Sequence, residues 1–425
     1  MVRVFVRIGF LSFGGPAGQI ALMHRELVDE RRWVEEEQYL HALNFCHLLP
    51  GPEAQQLATW IGWKLHGMRG GLAAGLLFVL PGAFIILALT ILYAFAAKLG
   101  WFAALFLGIK AAVLAIVVQA LLRIAGRALN TSFKKALAVA AFLALFLFAT
   151  PFPTVVLGAG AIGMVVAVAR PEWLRIKVGD VDVVTSPRPW GQSIRTTLAW
   201  GLIWTAPMGL ILVTLGREHV LWEIGSFFSQ LAVVTFGGAY AVLAYMAQEA
   251  VQGYGWLSAG EMADGLGLAE TTPGPLIMVT QFVGYLAAFR APEPFTPLMA
   301  GLLGAALTTW VTFAPCFLWI FTFAPWIERM ESSPRLKGGL AALTAAVVGV
   351  IANLAVWFFI HVLFARVDEF AAGPLRISSP VWTTLDWRAA LLATLCAILL
   401  FGLKWNIIRV LGVAAFGSLL LGQFI

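Results

Sequence analysis

The chain is short of charge. Only 12% of its 425 residues are Asp, Glu, Lys or Arg, against roughly 25% in soluble domains. Sixty per cent are hydrophobic and the mean hydropathy is +0.88. Too few polar residues remain to cover a water-soluble surface, so a lipid bilayer is the expected solvent. Cysteine is scarce as well. Cys46, Cys316 and Cys396 lie in separate apolar segments without a C-x-x-C pair, which excludes a disulfide framework or a zinc ribbon. They read as small buried hydrophobes. No His or Cys cluster has metal-ligand spacing and carboxylates are sparse, so neither a metal nor another cofactor is expected. The absence of a P-loop, a G-x-S-x-G elbow and an H-E-x-x-H pair leaves no support for an ATP-driven pump or a recognisable enzyme. No nucleic-acid partner is expected. The N-terminal apolar stretch is broken by Gly14-Gly15-Pro16 and runs into His24-Arg25-Glu26 without a small-residue cleavage site, so it does not read as a signal peptide.

What is present is hydrophobic length. Thirteen segments are each roughly long enough to span or re-enter a bilayer: 4–23, 38–63, 71–97, 101–122, 134–150, 153–169, 196–215, 222–247, 258–289, 297–325, 338–364, 387–403 and 405–425. Barrel strands would alternate apolar and polar residues, and stretches such as Ala136 to Phe148 do not. The expected fold is an all-α polytopic membrane protein.

The two halves repeat. Phe13-Gly14-Gly15 recurs as Phe236-Gly237-Gly238, Trp33 as Trp256, and Pro50-Gly51-Pro52 as Pro273-Gly274-Pro275, all at an offset of 223. Gly62 matches Gly284 after one deletion. Pro81 matches Pro315 and Ala111-Ala112-Val113 matches Ala345-Ala346-Val347, both at an offset of 234. Repeats of this kind mark many secondary transporters. The expected organisation is a first repeat at 1–169, a linker with a connecting transmembrane helix at 170–217, and a second repeat at 218–425. Each repeat contributes six segments and one segment (196–215) lies between them, so the second repeat starts from the opposite side. With residues 123–135 and 170–195 in the cytoplasm, most Lys and Arg collect there. Only Lys98, Arg217, Arg290, Arg366, Arg376 and Arg388 fall on the far side, as the positive-inside rule requires. The basic loop 24–37 obeys the rule if the first two segments of each repeat are broken hairpins that re-enter.

The breaks carry the chemistry. Proline lacks an N–H, disfavours helix in the residue before it, and suits the first position of a helix. A helix is therefore expected to start at Pro52, leaving the N–H groups of Glu53, Ala54 and Gln55 without internal partners. Leu276, Ile277 and Met278 should do the same in the second repeat. Gly14-Gly15-Pro16 should free the N–H groups of Ala17 and Gly18, and Gly237-Gly238 should start a helix near Ala239 and Tyr240. Free helix N-termini carry about half a positive charge and bind anions. The candidate substrate-binding residues are thus Ser12, Gly14, Gly15, Ala17, Gly51, Glu53, Ala54, Gln55, Thr235, Gly237, Gly238, Thr271, Thr272 and Gly274, with Lys110 as a basic group inside a membrane segment. Glu53, Glu270 and Asp264 are the proton-coupling candidates. Intramembrane carboxylates are costly and functional by default, and a dianion beside them would favour their protonation.

The strings FLSFGGPAGQIALMHRELV and LLPGPEAQQLATWIGW, with VVTFGGAYAVLAYM and LAETTPGPLIMVTQFVGY in the second half, resemble the chromate transporter (CHR) family in its long two-domain form. The likeness covers nearly the whole chain. It implies efflux of chromate across a bacterial inner membrane, conferring resistance, with the proton-motive force as energy source. The partners the resemblance implies are chromate and protons; sulfate shares chromate's shape and charge, the composition itself calls for a lipid bilayer, and whether a second copy joins in a homodimer is left open by the sequence. A sulfate or other oxyanion carrier, or an anion channel, would suit the same residues.

Overall fold

The structure is a computed structural model that describes residues 1–13, 15–97, 99–176, 190–236, 239–327 and 333–422. It is helical almost throughout. In the first half, α1 is Val2–Leu11, α2 Gly15–His24, α3 Glu36–Leu48, α4 Glu53–Ala96, α5 Gly100–Ala128, α6 Ser132–Phe148, α7 Phe152–Ala169 and α8 Pro171–Leu174. In the second, α9 is Trp190–Thr214, α10 Val220–Val234, α11 Ala239–Gln248, α12 Ala259–Thr271, α13 Val279–Arg290, α14 Pro297–Phe323, α15 Pro334–Leu363, α16 Trp387–Ala397 and α17 Ile407–Gly422. Between α15 and α16 an antiparallel hairpin pairs β1 (Val367–Ala372) with β2 (Leu375–Pro380).

Among the described residues six helices are long and apolar enough to cross a membrane: α4, α5, α7, α9, α14 (continued to Trp326) and α15. Several of the thirteen segments are shorter helices instead, for a physical reason. Segments 4–23, 38–63, 222–247 and 258–289 each divide at a Gly or Pro break. Helix α4 joins two arms across a kink at His66 and Gly67, whose backbone angles are non-helical. Bilayer solvation is plain on α9, where Leu198, Leu202 and Val213 are 69%, 71% and 85% exposed. Water could not stabilise such a face.

The ends have local causes. Thr131 accepts a hydrogen bond from the Lys134 N–H at the start of α6, and Thr296 does so from Met299 before α14. Asp386 accepts from the Arg388 and Ala389 N–H groups before α16. Such caps satisfy N–H groups that a helix cannot satisfy itself.

The chain forms two compact units, and each draws on both halves of the sequence. Unit 1 holds Met1–Thr90, Lys177–Val242 and Thr272–Lys337; unit 2 holds Ile91–Ile176, Leu243–Thr271 and Gly338–Ile425. In unit 1, α14 packs on α13, α9 and α10. In unit 2, α5 packs on α12, α16 and α17. Most of the central linker, 177–189, lies outside the described residues.

Candidate functional site: crossed helix breaks and a buried ion pair

In unit 1 the breaks of the two repeats interlock. Helix α1 ends where Ser12 Oγ donates to the Ile8 carbonyl at 2.6 Å, and α10 ends where Thr235 Oγ1 donates to the Leu231 carbonyl at 2.5 Å. Hydroxyls that bond back along a helix compete with its own ladder. The main-chain carbonyls at these stops then cross over. Gly51 N–H donates to the Thr235 carbonyl at 2.8 Å, and Gly274 N–H donates to the Ser12 carbonyl at 2.9 Å. Each Pro-Gly-Pro is thereby held by the other repeat. Gly51 and Gly274 adopt φ of +120° and +101°, which side-chain-bearing residues rarely adopt. A Cβ on Gly51 would also lie 2.8 Å from Gln56 Nε2 and 3.0 Å from Cys316 Sγ, and one on Gly274 3.1 Å from Gly82 Cα. Gly82 and Cys316 are themselves repeat counterparts.

Helix α4 starts at Glu53, with Pro52 supplying the first carbonyl, to Gln56 N–H at 3.1 Å. Among the described residues the N–H groups of Glu53, Ala54 and Gln55 have no acceptor. All three residues are buried, so their N–H groups form a positive terminus away from water. The second repeat differs. Leu276–Met278 form a 3₁₀ turn in which Met278 N–H bonds the Pro275 carbonyl at 2.9 Å. The tighter turn uses up a donor that an α-helical start would have left free. Gly15 opens α2 at φ +70° and Ala17 is exposed. Gly14, Gly237 and Gly238 lie outside the described residues, although α11 does begin at Ala239.

Side chains refine this picture. Glu53 Oε1 lies 3.7 Å from His47 Nδ1. Gln55 Nε2 donates to Thr59 Oγ1 at 3.0 Å, while Gln55 Oε1 is buried without a partner. Gln19 Nε2 donates to the Gly274 carbonyl and Gln56 Nε2 to the Pro50 carbonyl, both at 2.6 Å. These two glutamines clamp the Pro-Gly-Pro segments; Gln56 is a polar neighbour of the first break in the sequence, whereas Gln19 was not among the expected site residues. For Gln19 the signal was an amide in the otherwise apolar start of α2.

Lys110, Asp264, Glu270 and Thr271 belong to unit 2, whereas Thr272 and the other expected residues that are described belong to unit 1. Lys110 does not stand alone. Its Nζ lies 3.3 Å from Asp264 Oδ2, and Tyr93 Oη donates to the same oxygen at 2.7 Å. Tyr93 was missed because nothing local to it indicates a carboxylate 171 residues away. Glu270 is buried, and Thr271 Oγ1 donates to the Leu268 carbonyl at 2.8 Å. A cavity of about 580 Å³ in unit 2, lined by Gln248, Glu249, Asn353, Glu369 and Arg376 among others, contains none of the expected residues.

Among the described residues one cluster offers metal-type ligands: His24, Asp29 and Glu36. Its imidazole points Nε2 at Glu36 (2.6 Å) and Nδ1 at Asp29 (3.3 Å). The two nitrogens serve different carboxylates.

No solved structure matches this one. Sequence relatives do. A chromate transport protein of Pseudomonas aeruginosa is 32% identical over 82% of this chain and 77% of its own length. One of Cupriavidus metallidurans is 29% identical over 83% of this chain and 80% of its own. A probable chromate transport protein of Synechococcus elongatus is 28% identical over 84% and 83%. The model of the chromate transporter family matches residues 1–164 and 222–419, which takes in both sets of Gly-Gly and Pro-Gly-Pro breaks. The chain belongs to the chromate transporter family.

Proposed function

We propose that this protein is a secondary transporter that exports chromate from the cytoplasm across the inner membrane, driven by the membrane potential, the proton gradient or both, and so confers chromate resistance. The observation that carries the reading is the bare, buried N-terminus of α4 beside the crossed Pro-Gly-Pro breaks, in a chain of the chromate transporter family. Non-helical backbone at membrane depth is tolerated where it is buried or lines a cavity, and helix N-termini bind tetrahedral oxyanions. The membrane potential favours this direction. Moving a unit charge across the membrane is worth about 2.3 kcal/mol per 100 mV. A dianion leaving a negative cytoplasm therefore gains about 4.6 kcal/mol per 100 mV.

Backbone N–H groups read charge and shape, which chromate shares with sulfate, so a sulfate carrier is the second reading. The deciding experiment is uptake into proteoliposomes of chromate, sulfate and molybdate under imposed pH and voltage gradients. Chromate uptake that follows the voltage and exceeds that of sulfate supports the export reading. Preference for sulfate moves the assignment to the second reading, and single-channel currents move it to an anion channel. Failure to move any of the three overturns it.

A further inference from the structure

We propose that Tyr93, Lys110 and Asp264 form a proton-exchange site, in which protonation of Asp264 releases Lys110 to a bound oxyanion. The inference deepens the oxyanion-transport reading and rests on it.

The site is built from three elements of unit 2. Tyr93 comes from the last turns of α4, Lys110 from the middle of α5 and Asp264 from α12. Helices α5 and α12 approach closely at glycines. A Cβ on Gly260 would lie 3.1 Å from Lys110 Nζ, and one on Gly267 would collide with Ile109 Cγ2. The lysine therefore lies across α12 where no side chain obstructs it. Both donors converge on one carboxylate oxygen, Oδ2. The other, Oδ1, is buried and has no hydrogen-bond partner. The Asp264 side chain is 5% exposed and that of Lys110 24%. The carboxylate is thus nearly enclosed, reached by solvent along the Lys110 side, while the ammonium retains access to a ligand. Glu261, one turn earlier on α12, also faces Asp264. Its Oε2 accepts from the Ser258 N–H and Oγ.

The geometry gives each atom a task. A proton arriving from solvent can bind Oδ1 without displacing Tyr93 from Oδ2. The donor, hydronium, is left as water, and the contact given up is the Lys110–Oδ2 ion pair. The acid is then neutral, the attraction for Lys110 is lost, and the ammonium is free to pair with a dianion. Departure of the anion returns Lys110 to Asp264 and expels the proton. The other repeat does not reproduce this pair. The repeat counterparts of Lys110 and Asp264 are Thr344 and His41, which cannot form it. A buried ion pair costs desolvation and is weak evidence of a stabilising role.

The test is binding of sulfate and of chromate to the purified full-length protein in nanodiscs, from mildly acidic to mildly alkaline pH. The unmodified protein should lose affinity by about tenfold per pH unit over the range in which one proton is exchanged. Asp264→Asn should abolish that slope and hold the affinity near the parent's acidic limit at every pH. Lys110→Gln should be weak throughout. An Asp264→Asn protein that keeps the parental slope overturns the proposal, as does Lys110→Gln with undiminished affinity at acidic pH. If either variant does not fold, calorimetry of the unmodified protein in buffers of different ionisation enthalpy decides. Uptake of one proton per sulfate bound supports the site, and none overturns it. Binding of both anions without any pH slope sinks the proton-exchange site alone. Binding of neither at any pH sinks the oxyanion reading itself.

Discussion

At the scale of single residues, the breaks depend on two glycines that tolerate no side chain. Gly51→Ala and Gly274→Ala should each cost about 1–3 kcal/mol, because alanine is strained at positive φ and its methyl crowds Cys316 or Gly82. Thermal unfolding of the detergent-purified protein reads this. Gly158→Ala, where a Cβ meets nothing within 4 Å, is the control and should unfold like the parent. Glu53 makes a second prediction. Glu53 is the first residue of α4, so on the proposed site its negative charge opposes a dianion at the same helix terminus. Glu53→Gln should tighten sulfate binding by about two- to fivefold, the worth of one charge at a helix terminus. Isothermal titration at constant pH measures it, and weaker binding would remove Glu53 from the anion's neighbourhood. Both glycines were legible in the sequence, since Pro-Gly-Pro leaves the backbone few alternatives. The carbonyl that receives each glycine N–H was not, because a hydrogen bond between residues far apart in sequence leaves no periodic trace.

At the scale of elements, the repeats build their helix pairs in the same way. The two arms of α4 touch through Gly62 and Gly70, where a Cβ on either would collide with the other's carbonyl oxygen. In the second repeat, Gly284 of α13 and Gly304 of α14 meet similarly. Small residues permit this close approach between membrane helices. Gly62→Val and Gly304→Val should each destabilise by about 1–3 kcal/mol through overpacking. Loss of monodisperse protein on size-exclusion chromatography would register it, and parental behaviour in both would show that the pairs can separate without harm. The counterparts Gly62 and Gly284 could be aligned from sequence alone. The hairpin at 367–380 could not be read from hydropathy, since β1 is almost entirely exposed, although Gly373-Pro374 between its strands is a turn signal. Segment lengths misled where a Pro or Gly divides a hydrophobic run, because hydropathy averages over the break.

At the scale of the whole molecule, the sequence repeats and the compact units divide the chain differently. The offset of 223 separates first half from second, yet each unit takes segments from both. Topology is tested without reference to either division. Single cysteines at Ser186 and Gln423, both outside the described residues, should label from opposite sides of the membrane with an impermeant thiol reagent. The native Cys46, Cys316 and Cys396 are buried and should contribute little background. Labelling of both from one side would rule out a cytoplasmic 170–195 linker with an external C-terminus. The crossed hydrogen bonds also set a clock on biosynthesis. Gly51 is made about 180 residues before Thr235, whose carbonyl it needs. At a typical elongation rate of 5–20 residues per second, that is roughly 10–40 s. Throughout that interval the first Pro-Gly-Pro sits in the translocon or bilayer with its amide unanswered, so the half-made protein is a natural client for whatever shelters nascent membrane helices.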